Sequence, residues 1–367
     1  PNWFAGPGED PVDRYTYGRQ NWFAAVGREH RACRETAVLI DQTSFAKFAL
    51  KGPDALASLD WICANDVHKP VGSLTYTQML DDKGGIQCDL TVARVAHDEF
   101  YIVTGTGFAT HDFDWIQRSI PAGSNAQLLD VTSAWSVLTL MGPNARTILQ
   151  TVTSADLTNE TFPFGTMQVI GIAGCPVRAL RITYMGELGW ELHLPVEYAP
   201  KVYDTLMAAG APHGLANAGY RCIESTRLEK GYRAWGTDIG PDHTPVESGL
   251  GWALKKDRPF RGRDAVRAQQ SDGVRKMLAA FTLDPAVVLL GRETIYRDGE
   301  RVGWLTSGGF GYTIDRSIGY GYVRNPAGVT RDWVLSGTYE LEVAGQRHAA
   351  EVSLRPLYDP TNGRVKS

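Results

Sequence analysis

Two isolated carboxylates, Asp89 and Glu187, lie beside glycines in strand-like and turn-like segments. Asp89 follows a Gly-Gly turn, and Glu187 lies between two glycines in the segment 184–191. Because glycine has no side chain, the backbone at such positions lets a ligand approach closely. A carboxylate there can accept two parallel hydrogen bonds from an N–H/NH2 edge or relay a proton to a ligand nitrogen. The pair predicts a flat, nitrogen-rich ligand that is recognised on one edge and reacts on another.

Each of these residues also has a purely structural interpretation. Asp89 is then a solvent-facing strand acid and Glu187 a polar turn residue. Tyr184 and Trp190 are then core aromatic residues, whereas in the functional interpretation the Tyr184 hydroxyl holds the ligand. The helix predicted over 219–230 carries a polar stripe typical of a salt-bridged, solvated face: Arg221, Glu224, Arg227 and Lys230.

The composition indicates a globular chain of two or three domains. Its 367 residues are 43% hydrophobic and 21% charged, enough to bury a large core. The net charge of -4 gives no overall attraction to nucleic acid or to an anionic membrane. No apolar run approaches the roughly 20 residues that span a bilayer, and the N-terminus lacks a signal pattern. We expect a cytoplasmic protein, or one of the mitochondrial matrix if the source is eukaryotic.

Cysteine, histidine and glycine spacing argue against several kinds of site. The five cysteines are scattered and never form Cys-x-x-Cys, so reduced thiols are expected. No histidine pair has metal-ligand spacing, so no metal site is predicted. The Gly-x-Gly-x-x-Gly, P-loop, Gly-x-Ser-x-Gly and His-Glu-x-x-His motifs are also missing. No recognisable motif for NAD, FAD or ATP is therefore present in the sequence.

The elements that must position the two acids alternate between helices and strands. One helix is predicted within residues 13–38, ending at the strand 37–41. Further helices are predicted over 54–59, 110–119, 197–209 and 219–230, and further strands over 45–51, 73–80, 89–94, 100–104, 135–141, 165–172 and 176–184. Gly52-Pro-Asp and Gly142-Pro-Asn each open a helix after a strand, which leaves an internal duplication open. Beyond residue 275, short strands with glycine turns predict a separate β-barrel or sandwich.

Seven motifs, in the same order along nearly the whole chain, resemble the glycine-cleavage T-protein (aminomethyltransferase) family. They are Leu39-Ile-Asp-Gln-Thr-Ser-Phe-Ala-Lys47, Tyr76 through Gly84-Gly85-Ile86 to Asp89-Leu90, Tyr184-x-Gly-Glu187-x-Gly-x-Glu191, Arg227-Leu-Glu-Lys-Gly231, Thr244-Pro-Val-Glu-x-Gly-Leu-Gly-Trp252, Phe260-x-Gly-Arg263 and Val302-Gly-x-x-Thr306-Ser-Gly308.

Within that family, the chain is most similar to the C-terminal, folate-binding half of dimethylglycine and sarcosine dehydrogenases and oxidases. The segments Tyr17-Gly-Arg-Gln-Asn-Trp-Phe23 and Arg227-Leu-Glu-Lys-x-Tyr-Arg-x-Trp-Gly-x-Asp238 carry this likeness. In those enzymes an FAD domain precedes the folate half. Since the chain begins with Pro1 in an irregular segment, we expect a processed start or a piece of a longer polypeptide.

The resemblance implies an α/β (α+β) fold, a three-domain cloverleaf around a central hole, with a C-terminal β-barrel. Residues 1–52 and 130–270 would form a discontinuous folate-binding domain. Residues 53–129 would form a second α/β lobe of the same fold, and residues 271–367 the barrel.

The resemblance also implies the site and the reaction. Asp89 would lie near the reactive folate nitrogens as the catalytic group, and Glu187 would bind the amino-pyrimidine edge of the pterin. The remaining folate contacts would be Tyr184, Arg227, Tyr76 and Trp252. An iminium or formaldehyde equivalent from N-methyl amine oxidation, made at a flavin domain or subunit, would condense with tetrahydrofolate to give 5,10-methylenetetrahydrofolate.

Two departures from the T-protein pattern bear on this reaction. T-proteins commonly have Asp-Asp where this chain has Cys88-Asp89, and His-Met where it has Ser44-Phe45. The first leaves the second acid in place, and the second argues against aminomethyl-lipoyl chemistry. A tetrahydrofolate-dependent demethylase of O-methyl aromatic or sulfonium compounds and a non-catalytic folate-binding module are the alternatives.

Overall fold

The computed structural model describes residues 1–367 and contains seventeen strands. In chain order, β1 to β17 are Ala37–Asp41, Ala46–Lys51, Leu74–Leu80, Ile86–Arg94, Glu99–Thr104, Gln127–Asp130, Trp135–Met141, Met167–Ile172, Cys175–Leu180, Gly189–Pro195, Leu215–Asn217, Val274–Leu283, Thr294–Arg297, Glu300–Gly311, Arg316–Val329, Tyr339–Val343 and Gln346–Ser353.

The eight α-helices lie mainly between the strands of the first two thirds of the chain. In chain order, α1 to α8 are Phe23–Glu35, Ala55–Ile62, Ala109–Ser119, Ala145–Gln150, Ala199–Gly210, Tyr220–Lys230, Arg263–Asp272 and Arg331–Ser336. None of the eight helices combines the length and the hydrophobicity that a bilayer-spanning segment requires.

Two sheets that share a four-strand order form the α/β part. The six-stranded sheet has the order β11-β1-β7-β10-β9-β8, and the five-stranded sheet has the order β3-β4-β5-β2-β6. Read in the opposite direction, the second sheet contains β2-β5-β4-β3, which matches β7-β10-β9-β8 of the first sheet strand for strand. Each sheet packs one face against its own helices over a separate apolar core. This shared order supports the internal duplication that the sequence left open.

The two Gly-Pro turns occupy equivalent places in the two sheets, after β2 and after β7. Gly52 and Gly142 have φ of 129° and 133°. A Cβ at Gly52 would lie 2.3 Å from the carbonyl oxygen of Asn125, and one at Gly142 would lie 2.5 Å from that of Thr36. Because the backbone is left-handed and crowded at both positions, only glycine fits there.

The third unit is a closed barrel with the strand order β12-β15-β14-β13-β16-β17. Its interior cluster includes Phe281, Leu305 and Val323. Helix α6 packs against β14 and β15, which joins the first sheet to the barrel. The predicted C-terminal barrel is confirmed.

Several predicted boundaries differ from the structure. Strand β2 pairs with β5 and β6, so the second lobe begins at Ala46 rather than at residue 53. The helix predicted within residues 13–38 is α1, Phe23–Glu35, whereas α7 was not predicted. Val266 of α7 packs with Leu80 and Ile86 at the β3–β4 hairpin, so part of the predicted first domain contacts the second lobe. All five cysteines are buried free thiols.

Candidate functional site

Asp89 lies on the face of β4 that points away from the core of the second sheet. Its neighbours Cys88 and Leu90 are fully buried in that core, while Asp89 is partly exposed. Strand alternation produces this arrangement, since successive side chains point to opposite faces. The carboxylate is therefore presented where the second lobe meets the segment between α6 and α7.

A cross-strand glutamine holds the Asp89 carboxylate. Gln78 on β3 is directly opposite Asp89 in the antiparallel register. Its Nε2 donates to Asp89 Oδ1 at 2.7 Å. The other amide atom, Oε1, is buried without a partner. Since buried polar atoms normally have hydrogen-bond partners, Gln78 orients the acid and keeps one acceptor free.

The environment of Asp89 suits proton transfer. Burial raises the pKa of its carboxyl to about 6, and the charge of Asp112 also raises it. Gln78, Tyr76 and the Arg233 cation lower this pKa, but they do not cancel the effect of burial. A carboxyl whose pKa lies near the working pH is a suitable general base or acid.

Tyr76 and Trp252 form an aromatic surface beside Asp89. Their ring centroids are 6.0 Å apart with an interplanar angle of 28°. Trp252 is 69% exposed although it is a large aromatic residue. Burial raises the pKa of the Tyr76 phenol well above its usual value, so its hydroxyl stays protonated. This pair presents an apolar face to a flat ligand.

Tyr184 lies on the opposite side of the same region and is already hydrogen-bonded to protein. Its hydroxyl donates to the carbonyl oxygen of Arg233 at 2.8 Å. Its ring stacks on Tyr232 at 5.8 Å. The charge of Arg233 also acts on Asp89. Tyr184 therefore supports the wall of the site through the loop after α6, and its hydroxyl proton is bound to protein while the hydroxyl oxygen remains an acceptor.

Glu187 is placed differently from the sequence prediction. It is 1% exposed and lies inside an ionic cluster. Its Oε1 accepts from Arg34 at 3.1 Å and from Tyr358 at 2.7 Å. Its Oε2 accepts from Arg364 at 3.2 Å. Because both oxygens bind protein donors, this geometry favours the structural interpretation of Glu187 over recognition of a ligand edge.

Arg227 also lies in a buried cluster rather than on an open face. It donates to Asp238 at 2.8 Å, to Ser307 at 3.0 Å and to Glu224 at 2.8 Å. Ser307 in turn donates to Asp238 at 2.7 Å. These bonds connect α6 to β14 of the barrel. The predicted contact of Arg227 with a folate body or tail would therefore require breaking a domain-joining cluster.

The sequence analysis assigned no role to Gln78, Arg233 or Glu191. Gln78 was detectable in principle, because the hairpin turn at 81–85 places it opposite Asp89. Arg233 lies in the motif that begins at Arg227, but only tertiary packing brings it near Asp89. Glu191 belongs to the same motif as Glu187, but only strand pairing shows that the two acids have different surroundings.

Glu191 is the more accessible acid of this motif. It follows the buried Trp190 on β10, so its side chain points to the other face of the strand. This side chain is 18% exposed. Its one hydrogen-bond partner is Nε2 of His193 at 3.5 Å. The Nδ1 of His193 contacts the Tyr101 hydroxyl at 3.0 Å. Most of the acceptor capacity of Glu191 is therefore free.

Comparison with known protein families agrees with this architecture. The GCVT N-terminal domain model matches residues 1–258. The glycine cleavage T-protein C-terminal barrel domain model matches residues 276–359. The chain belongs to the glycine-cleavage T-protein (aminomethyltransferase) family. This family binds tetrahydrofolate.

Comparisons of sequence and structure show which proteins this family member is similar to. It is 41% identical to human mitochondrial sarcosine dehydrogenase over 97% of its length. It is 33% identical to an aminomethyltransferase of Halothermothrix orenii over 82% of its length. It is 35% identical to the mouse mitochondrial pyruvate dehydrogenase phosphatase regulatory subunit over 97% of its length. The crystal structure of glycine cleavage system aminomethyltransferase T from Bartonella henselae superposes with a TM-score of 0.82 at 25% identity, covering 95% of this chain and 94% of that one.

The chain covers a different fraction of the length of each relative. It spans 41% of human sarcosine dehydrogenase and 43% of the mouse regulatory subunit. It spans 84% of the Halothermothrix orenii aminomethyltransferase. The chain thus corresponds to less than half of the first two proteins and to most of the third.

Proposed function

We propose that the chain binds tetrahydrofolate beside Asp89 and catalyses transfer of a one-carbon unit to it. Bound tetrahydrofolate would supply the nucleophilic nitrogens for the one-carbon unit of an iminium ion or of formaldehyde, giving 5,10-methylenetetrahydrofolate with release of the demethylated amine or of water, respectively. The observation that carries the proposal is the Asp89 carboxylate, which is oriented by Gln78 at 2.7 Å and has a pKa raised to about 6.

The residues around Asp89 suit such a ligand. The aromatic pair Tyr76 and Trp252 offers a face for a flat ring. The buried Oε1 of Gln78 has no partner, so the bond from Nε2 to Asp89 is the only side-chain hydrogen bond of this amide. Asp89, when deprotonated, takes a proton at its carboxylate, and Arg233 helps to keep the charged form available. These groups bind, orient and accept a proton without moving far.

For pterin recognition we propose Glu191 instead of Glu187. A carboxylate recognises an N–H/NH2 edge with both oxygens, so it needs free acceptor positions. Glu191 has one long hydrogen bond, and its side chain is 18% exposed. The two carboxylate oxygens of Glu187 together accept hydrogen bonds from three protein donors. The glycine-rich motif would thus contribute a structural acid and a recognition acid.

The one-carbon donor is proposed from the relatives. The name sarcosine dehydrogenase indicates an enzyme that oxidises an N-methyl amine. The chain corresponds to less than half of that protein. We therefore propose that an N-methyl amine of the sarcosine or dimethylglycine type is oxidised at a flavin domain or subunit, and that Asp89 acts on the product. A mitochondrial location is proposed for a eukaryotic source, since that relative is mitochondrial.

The Asp89→Asn variant tests the proposal. We expect it to bind tetrahydrofolate with unchanged affinity and to form 5,10-methylenetetrahydrofolate about 10²–10⁴-fold more slowly, because proton transfer is lost while the shape is kept. Single-turnover assays with formaldehyde as the one-carbon source measure the rate, and calorimetry measures binding. Asp114→Asn, at an exposed acid of α3, is the matched control. Unchanged methylene-folate formation in Asp89→Asn would rule out this role.

Two other functions have distinct outcomes in the same experiment. The 35% identity to a protein named as a regulatory subunit favours a folate-binding module without catalysis. Tetrahydrofolate binding without any one-carbon transfer by the wild type would indicate that module. A methyl rather than a methylene product on folate would indicate a demethylase of O-methyl aromatic or sulfonium compounds.

A further inference from the structure

A cluster of three potential metal ligands lies in the second lobe on the opposite side of β4 from Asp89. It consists of Cys88 on β4 and of His111 and Asp112 in the first turn of α3. One ligand atom from each residue lies within 4.8 Å of the other two. The spacing in the sequence did not reveal it, because Cys88 is brought to the neighbouring pair only by packing of α3 on the sheet.

The atoms of this cluster are the types that zinc prefers. The His111 Nδ1 lies 2.9 Å from Asp112 Oδ1, close to the separation of two ligands on one ion. Thiolate, imidazole and carboxylate together form a set that binds Zn²⁺ with one position left for water. Thr104 at the end of β5 donates to Asp112 Oδ2, the carboxylate oxygen that His111 does not contact. Such outer hydrogen bonds orient metal ligands.

Charge and access are also compatible with a bound dication. Cys88 and Asp112 are buried in the core of the lobe, whereas the His111 side chain is 42% exposed. Zn²⁺ together with one thiolate and one carboxylate has no net charge, which limits the cost of burying the ion. The ion and its fourth ligand would enter from the histidine side.

We propose that Cys88, His111 and Asp112 form a Zn²⁺ site in which water completes a tetrahedral shell. On binding, the Cys88 thiol releases its proton to solvent and the sulfur coordinates the metal. The site connects β4 to the start of α3, behind the strand that carries Asp89. None of its three residues is among the proposed folate contacts.

Zinc and cobalt binding by the folate-free full chain tests this site. After removal of metal with a chelator, we expect one equivalent of Zn²⁺ to bind in calorimetry. Co²⁺ should give a thiolate-to-metal charge-transfer band and the visible absorption of a tetrahedral site. Cys88→Ser should abolish the charge-transfer band, and His111→Ala should weaken binding. Since no turnover is measured, failure here leaves the folate proposal untouched.

Matched variants separate this site from accidental binding. Cys175→Ser replaces a buried thiol of the other sheet, and His97→Ala an exposed histidine of the same lobe. Both should bind Zn²⁺ like the wild type. Thr104→Val should weaken binding by about 10–100-fold, as expected for an outer hydrogen bond. The proposal would be overturned if the wild type shows no charge-transfer band. It would also be overturned if Cys88→Ser and His111→Ala bind Zn²⁺ as tightly as the wild type does.

Discussion

Gln78 and Asp89 form one cross-strand unit, in which the amide Nε2 donates to the carboxylate Oδ1 at 2.7 Å and the amide oxygen is left without a partner. The bond lowers the pKa of Asp89 against the larger, opposite effect of burial. The pKa of Asp89 thus depends on its neighbour Gln78 on β3 as well as on the burial of its own carboxyl group.

Removal of this bond should shift the pH dependence of one-carbon transfer. If deprotonated Asp89 is the base, the wild-type rate should fall as the pH drops below about 6. In Gln78→Leu the carboxylate loses a stabilising donor, so its pKa should rise by about one unit or more, given about 1.5–3 kcal/mol for a hydrogen bond to a charged group. Rate profiles against pH measure the shift. Gln168→Leu, at a strand glutamine of the first sheet, should leave the profile unchanged, and an unshifted Gln78→Leu profile would contradict the coupling.

Asp89→Asn should stabilise the fold at neutral and alkaline pH. The folded carboxyl has a pKa of about 6, above the value of about 3.9 for an unfolded aspartate. A raised pKa means that ionisation destabilises the folded state, and this effect grows as the pH rises between these two values. A neutral amide removes the effect, so the free energy of unfolding should increase by on the order of 2 kcal/mol at about pH 8 and hardly change at about pH 4. Denaturant titrations at both pH values measure it, and an equal change at both would contradict the assignment.

The two acids of the glycine-rich motif should respond differently to amide substitution. Glu187→Gln leaves the buried Arg34 with Glu229 as its remaining ionic partner, so we expect a loss of about 1.5–3 kcal/mol in the free energy of unfolding. Glu191→Gln should weaken tetrahydrofolate binding with little change in stability. If Glu187→Gln does not fold, Tyr358→Phe removes one donor of the same cluster and should cost about 1 kcal/mol without changing folate affinity. A stable Glu187→Gln variant with lost folate binding would restore the original assignment.

Trp252→Ala should weaken folate binding without unfolding the protein. The residue is 69% exposed, so its removal should change the free energy of unfolding by no more than about 0.5 kcal/mol. Loss of an aromatic contact of about 0.5–1.5 kcal/mol should raise the dissociation constant by about 2- to 12-fold. Fluorescence titration with tetrahydrofolate measures it. Trp304→Ala, at a 46% exposed tryptophan of the barrel, is the control and should bind normally.

Local patterns in the sequence were sufficient to predict most elements. The period-2 segments correspond to strands such as β3, β5 and β7, and the two Gly-Pro turns were located correctly because their left-handed glycines have a local cause. The edge of the second lobe was misplaced, since nothing in the segment 46–51 indicates which sheet it joins. Sheet membership depends on hydrogen bonds to β5 and β6, which are distant in sequence.

The sequence by itself determined the family, the barrel and the candidate acid Asp89, because these follow from ordered motifs and from strand and turn chemistry. Only the tertiary structure decided which charged residues remain available to a ligand. Glu187 and Arg227 both belong to motifs, yet each is hydrogen-bonded to a residue distant in sequence. Glu187 accepts from Arg364, and Arg227 donates to Ser307. A motif records the residue type, whereas the availability of a charge depends on the counter-charges that folding brings within hydrogen-bond distance.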